Sequence, residues 1–173
     1  MAGESKSRRA FEERVNRLVR AFVAIVRSSF GYLLDEYGFS SNEPEYLWFN
    51  NSRDALVRIS YRRWPVQIDV DFRPGENLIA VGLNDLKNGR ASDLESLISL
   101  RTQGAVAPIL PPIDSSLTFA EMKRRAARRE HLVSTELQNV VRELAARLKT
   151  NATDILKGET DPLIGSPTPT DRP

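Results

Sequence analysis

The segment ALVRISYRRWPVQIDVDF (residues 55–72) carries the strongest structural signal in the chain, because two alternating stretches in it are joined by a short connection. Apolar residues occupy every second position in residues 55–62, and the same alternation returns in residues 66–72. Successive side chains of a strand point to opposite faces, so this pattern predicts two strands of a sheet with one buried and one solvated face. The short connection around Trp64 predicts that these strands are antiparallel neighbours.

Two further strands extend this hairpin in both directions along the chain. Residues 46–51 are rich in aromatic side chains, and residues 77–83 follow the sequence RPGE, which places Pro-Gly at the middle of a turn. The sequence therefore predicts a four-stranded antiparallel meander. Residues 84–90 are expected to form a loop, and residues 92–100 a short helix.

A long helix is predicted before the meander. Apolar residues recur at spacings of three and four over residues 9–37, which indicates a helix with a wide apolar face. The middle of this helix is weakened by Ser28, Ser29 and Gly31, so a kink is expected there. Gly38 is suited to a left-handed cap at its end, because glycine has no steric penalty at positive φ.

A second helical region is predicted after an extended, proline-containing connector (residues 101–116). Thr118 and Glu121 have the spacing of a capping box, which predicts the start of a helix at about residue 119. The pattern leaves open whether residues 119–157 form one helix or two. The expected architecture is an α+β fold, in which the apolar face of the four-stranded antiparallel meander packs against long N- and C-terminal helices.

The composition is that of a soluble protein with one domain. Hydrophobic residues make up 40% and charged residues 28% of the chain, and the net charge of +2 gives no strong basic or acidic field. The domain is predicted over residues 9–158, with a flexible N-terminus at 1–8 and a disordered Pro/Thr-rich tail at 159–173. The absence of cysteine, of a secretory signal and of an apolar run of about 20 residues indicates a cytoplasmic location without membrane insertion.

Few residues suggest catalysis. Asp69 and Asp71 share the expected wet face of a strand and could bind Mg²⁺ or Ca²⁺, but further oxygen ligands are not evident apart from Glu76. Pairing of one aspartate with Arg58 across the hairpin accounts for the same residues without a metal. His131 is the one histidine, and the sequence contains no glycine-rich phosphate loop or nucleophile motif. We therefore predict a non-enzymatic protein without a metal or other cofactor.

Tryptophan and arginine near the hairpin indicate a candidate protein interface. Both residue types are enriched among the side chains that contribute most to binding between proteins. The opposite interpretation of Trp64, that it folds back over the edge of the sheet, is equally compatible with the sequence. The candidate interface residues are Trp48, Trp64, Arg62 and Arg63.

A basic run provides a candidate phosphate contact. On a helix, a spacing of four residues stacks position 124 over 128 and position 125 over 129, which concentrates positive charge on one side. Such a face could neutralise phosphates, although no aromatic platform is interleaved with it, and it could equally be a solvated face paired with acidic side chains. The candidate residues are Lys123, Arg124, Arg125, Arg128 and Arg129.

Local signatures along the chain resemble a group of small bacterial α+β proteins of unknown function. They are FGYLLDEYGFS (30–40), the alternating region over residues 48–83, and LAARLKTNATDILKGE (144–159), and the similarity covers roughly residues 10–158. Some proteins of this sort act as antitoxin-like immunity partners, so the resemblance implies a protein-binding role and assigns no active site.

These features together favour a cytoplasmic module that binds another protein, as an immunity- or antitoxin-like partner, or that binds a second copy of itself. The wide apolar face of residues 9–37 motivates the homodimer. The alternative hypothesis is a nucleic-acid-associated protein that uses the basic residues of 123–129. Membrane association is not expected.

Overall fold

The computed structural model describes the backbone of residues 2–49 and 54–159 and the side chains of residues 12–47 and 55–159. The helices are α1 (Ala2–Ser29), α2 (Tyr32–Asp35), α3 (Leu94–Thr102), α4 (Phe119–Thr135), α5 (Leu137–Asn151) and α6 (Thr153–Lys157). The strands are β1 (Ser40–Ser41), β2 (Glu45–Phe49), β3 (Asp54–Arg63), β4 (Val66–Arg73), β5 (Leu78–Asp85) and β6 (Arg90–Asp93).

The strands of the described residues form one antiparallel sheet of six strands, in the order β1-β3-β4-β5-β6, with β2 also paired to β3. The predicted α+β class and the meander are confirmed, since β2 to β5 correspond to the four predicted strands. The predicted number of strands is too low because β1 and β6 were not expected. β1 has only two residues, and β6 has the sequence RASD, which is mostly polar and lacks an alternating apolar pattern.

The N-terminal helical region is divided, where one helix over residues 9–37 was predicted. α1 begins at Ala2 and ends at Ser29, and the short α2 follows after Gly31. A Cβ atom added to Gly31 would lie 3.2 Å from the carbonyl oxygen of Arg27, so the chain turns tightly at the expected kink. Gly38 adopts φ = +67°, which confirms the predicted left-handed position.

The C-terminal helical region is also divided, into α4, α5 and α6, with breaks at Glu136 and Ala152. The predicted capping box is confirmed, because the Thr118 hydroxyl accepts the Glu121 N–H and the Glu121 carboxylate accepts the Thr118 N–H. α3 lies within two residues of its predicted start, and Asp93 caps it by accepting the N–H of Ser96 at 2.8 Å.

The core lies between one face of the sheet and the helices. α1 packs on β3 and β4, and α3 packs on β5. The ring of Phe22 lies 5.1 Å from that of Phe72, and the ring of Phe30 lies 6.1 Å from that of Tyr61. The apolar residues that were expected to favour a dimer are used in this core: Val15, Val19, Phe22 and Val26 are all buried.

The predicted tail at 159–173 lies, after Glu159, outside the described residues, and its disorder stays a prediction. No described helix is long and apolar enough to cross a membrane.

Candidate binding surfaces

Arg58 and Asp71 form the clearest ion pair on the polar face of the sheet, the face opposite the helices. They are directly paired across β3 and β4, which confirms the prediction that Arg58 lies opposite one of the two aspartates. The guanidinium donates through Nε to Oδ1 at 2.8 Å and through Nη2 to Oδ2 at 2.7 Å. This hydrogen-bonded pair raises the pKa of Arg58 above its usual value, although partial burial acts in the opposite direction.

Asp69 is buried, with 6% of its surface exposed, whereas the sequence placed it on a solvated face. Its Oδ1 accepts the hydroxyl of Ser60 at 2.7 Å and the side-chain amide of Gln67 at 2.8 Å, and its Oδ2 accepts the amide of Asn84 at 2.9 Å. The prediction is wrong for this residue because long polar neighbours on three adjacent strands converge on the central carboxylate and cover it.

The same hydrogen bonds bear on the metal hypothesis. Both carboxylate oxygens of Asp69 already accept protein donors, and those of Asp71 hold Arg58. Among the described side chains, no group of three or more His, Asp or Glu residues is placed to hold a metal ion. The arrangement is therefore that of a satisfied polar network on a sheet.

An apolar patch lies at the turn between β3 and β4. Trp64 is 73% exposed, so it does not fold back over the sheet, and Leu86, which follows β5, is 40% exposed. The N–H of Leu86 donates to the carbonyl of Pro65 at 2.8 Å, which brings the end of β5 against this turn. Arg62 is exposed on the adjacent end of β3. We call Arg62, Trp64 and Leu86 the turn patch.

The other two candidate interface residues have different positions. Arg63 donates through Nη1 to the carbonyl of Leu156 at 2.6 Å, so its side chain connects the hairpin to the end of α6. The backbone of Trp48 pairs with Ala55, but its side chain lies outside the described residues. Of the predicted set, Arg62 and Trp64 are exposed at the turn between β3 and β4, and the backbone of Leu86 reaches this turn through a hydrogen bond to Pro65 that the sequence pattern did not show.

The five basic residues of α4 fall into two groups. Lys123, Arg124 and Arg128 are exposed, and the Nζ of Lys123 lies 4.7 Å from the centre of the Phe119 ring. Arg124 and Arg128 line an open cleft of about 360 Å³ together with Arg125. These residues provide the solvent-facing positive charge of the helix.

The second group of basic residues holds the connector that precedes α4. Arg125 donates through Nη1 to the carbonyl of Pro112 at 2.9 Å. Arg129 donates through Nε to the carbonyl of Pro111 at 2.6 Å and is only 8% exposed. The prediction of one exposed basic face is therefore wrong for Arg129, because the connector packs over that side of the helix.

Comparison with known proteins gives no match: no protein-family model, no curated protein and no solved structure is similar to this chain. The resemblance to small bacterial α+β proteins stays a prediction.

Proposed function

We propose that this protein is a non-enzymatic, cytoplasmic module that binds another protein through the turn patch, in the manner of an immunity- or antitoxin-like partner. The observation that carries the proposal is the exposure of Trp64, at 73% the most exposed of the large hydrophobic side chains in the described residues. Tryptophan is enriched among the residues that contribute most to protein binding, and its transfer from water into an interface buries a large area.

The support beneath the patch favours the same proposal. β3 and β4 are paired from Val57 and Phe72 up to Arg63 and Val66, and the Arg63 side chain is hydrogen-bonded to α6. Trp64 is thus displayed on a turn whose flanking strands and helix are fixed by other contacts. A partner that covers Trp64 would order few additional groups, and little conformational entropy would oppose binding.

The polar face beside the patch supports a non-catalytic role. The charged side chains on this face are hydrogen-bonded within the protein. Asp71 accepts both hydrogen bonds from Arg58, and Asp69 accepts the side-chain amide of Asn84. A general acid or base needs a group that is available to the substrate. These residues instead resemble the polar surround of an interface, where charges fix orientation.

The test is capture of partners by the tagged full chain from its native host, with Trp64→Ala and Phe119→Ala compared with the wild type. Phe119 is a matched control, since its ring is 69% exposed on α4 and lies outside the turn patch. We expect a stoichiometric protein partner that survives nuclease treatment, is lost with Trp64→Ala and is kept with Phe119→Ala. Equal recovery by both variants, or loss by both, would contradict binding through the turn patch. Sedimentation of the purified chain would identify the partner as a second copy of the protein if the wild type forms dimers and the Trp64→Ala variant is a monomer.

A second candidate function is binding of nucleic-acid phosphates by α4. The observation that favours it is the open cleft of about 360 Å³ lined by Arg124, Arg125 and Arg128. Binding of a labelled duplex by fluorescence anisotropy should weaken steeply with salt if several phosphates are neutralised. We expect the double variant Arg124→Glu/Arg128→Glu to abolish it, whereas Arg142→Glu, an exposed arginine on α5, should reduce it only slightly. Binding that is insensitive to salt, or equally affected by the two variants, would exclude this role for the cleft.

A further inference from the structure

A small cavity follows the edge of β5. Its volume is about 230 Å³, and four consecutive residues of the strand, Leu78–Val81, form one side of it. Successive side chains of a strand point to opposite faces, so four consecutive residues can line one cavity only along the edge of the strand, where the backbone is accessible.

This stretch of the edge has no partner strand. β6 pairs with β5 only from Gly82 to Asp85, and the chain then leaves the sheet to enter α3. The connector passes the cavity, with Leu110 and Pro112 in its lining, but no described backbone group hydrogen-bonds to the outer edge of Leu78–Val81. In an antiparallel sheet, alternate residues direct their N–H and C=O groups to the same side. Two residues of this stretch therefore present a donor and an acceptor each to the cavity.

A buried guanidinium lies in the same cavity. Arg129 is 8% exposed, and its Nε donates a hydrogen bond to the carbonyl of Pro111. No carboxylate of the described residues lies within ion-pair distance of its guanidinium. Burial lowers the pKa of Arg129, and attraction from Glu76 and Glu95 offsets this only in part. A buried charge without an ion-pair partner is costly, so an anion that reached Arg129 would be stabilised.

The remaining walls are mostly apolar. Leu94, Leu110 and Leu144 line the cavity together with two acidic residues. The carboxylate oxygens of Asp93 accept the N–H and the hydroxyl of Ser96, and the carboxyl group of Glu95 accepts the N–H of Ile109 at 3.4 Å. Burial raises the pKa of Glu95 above its usual value. The site thus offers strand-edge hydrogen bonds, an apolar surface and one guanidinium, beside two carboxyl groups, of which that of Asp93 is hydrogen-bonded to Ser96 at the start of α3.

We propose that this cavity binds the C-terminal residue of an extended peptide, whose backbone adds to the free edge of β5 and whose terminal carboxylate pairs with Arg129. The apolar side chain of the peptide packs against Leu94, Leu110 and Leu144. Strand addition and capture of a terminal carboxylate are recurrent modes of peptide recognition. The volume, equivalent to about eight water molecules, fits the end of a peptide and is smaller than the sites of drug-sized ligands. This site is separate from the turn patch and goes beyond the function proposed above.

The test uses three probes that differ in one group each: acetyl-Val-Leu with a free carboxylate, the same peptide as the C-terminal amide, and the acid with an N-methylated Leu amide. Binding to the full-length wild-type protein is measured by NMR titration. We expect the acid to bind about tenfold or more tightly than the amide, the ratio that follows from loss of a charge-assisted pair. N-methylation should weaken binding to a similar degree, because it removes a donor to the strand edge. Shifted amide signals should map to Leu78–Val81 and the connector.

Two protein variants complete the test. Arg129→Met should bring the acid and the amide to equal affinity, while Trp64→Ala should leave the preference for the acid unchanged. Because the comparison of acid and amide is made on the wild-type protein, it decides the proposal even if Arg129→Met does not fold. The proposal is overturned if the acid does not bind at millimolar concentration, if it binds no better than the amide, or if the shifted signals map to the cleft of Arg124 and Arg128. A positive result here with no effect of Trp64→Ala on partner capture would refute only the function proposed for the turn patch.

Discussion

Replacing Asp69 with alanine is expected to destabilise the protein more than removal of any other carboxylate on the polar face of the sheet. Asp69 is buried at the centre of the sheet and accepts hydrogen bonds from Ser60, Gln67 and Asn84. Ser60 is 2% exposed, so its hydroxyl would be left without a partner in a place that water reaches poorly. Gln67 and Asn84 are half-buried and can turn toward solvent.

The expected cost follows from this difference in access to water. One unsatisfied buried hydroxyl together with the loss of hydrogen bonds to a charged acceptor gives a free-energy change of about 2–4 kcal/mol. For a chain of this length, such a change lowers the melting temperature by about 4–16 °C. Asp71→Ala should cost less, about 1–2 kcal/mol, because its partner Arg58 keeps 32% of its side chain in solvent and can be hydrated.

The assay is urea unfolding followed by circular dichroism, with Glu43→Ala as the control. Glu43 pairs with Arg27 at 2.8 Å, but 91% of its side chain is exposed, so a cost of about 0–1 kcal/mol is expected. The order of destabilisation should be Asp69, then Asp71, then Glu43. If Asp69→Ala costs no more than Asp71→Ala, burial of the network does not determine its strength and the reasoning is refuted.

Three further substitutions test other contacts by thermal unfolding. Burial raises the pKa of Glu95 in the folded protein above its value in the unfolded chain, so the protein loses stability as pH rises between these two pKa values. Glu95→Gln should therefore be more stable than wild type at pH 7. A difference in stability between the two proteins that does not disappear near pH 4 would contradict this. Burial alone would raise the pKa of Asp85, but hydrogen bonds from Asn88 and Lys87 outweigh this effect and lower the pKa. Asp85→Asn should therefore reduce the free energy of unfolding most at neutral pH, and progressively less as pH falls below about 3.9. This trend is opposite to the one expected for Glu95. Arg63→Met removes the bond to Leu156 and should cost about 0.5–1.5 kcal/mol, whereas no loss at all would mean that this bond does not hold α6.

The sheet was predictable from the sequence because the residues that specify its strands and its turns are close together in the chain. Alternation in residues 55–72 specifies which face of each strand is buried, and the register follows from the short turn at Trp64. The Arg58–Asp71 pair could be anticipated for the same reason. The burial of Asp69 could not, since it depends on Asn84, which a second turn and a third strand bring to its side.

The helix boundaries were less predictable. Residues 119–157 carry a continuous apolar stripe, yet the chain breaks at Glu136 and Ala152, where no proline or glycine is present. A pattern based on hydrophobic periodicity alone therefore does not predict where these helices end. β6 was missed for a related reason, because its polar residues are strand only by pairing with β5.

The basic run shows how position in the fold divides residues that the sequence makes equivalent. Helical spacing correctly stacks position 124 with 128 and position 125 with 129, but only the path of the connector determines which stack meets solvent. Arg125 and Arg129 bind the carbonyls of Pro112 and Pro111, whereas Arg124 and Arg128 remain exposed. Reversal of all five charges would therefore release the connector as well as remove a phosphate contact, and loss of binding could not be assigned to either. Substitution of Arg124 and Arg128 alone separates the two effects, because neither side chain holds the fold.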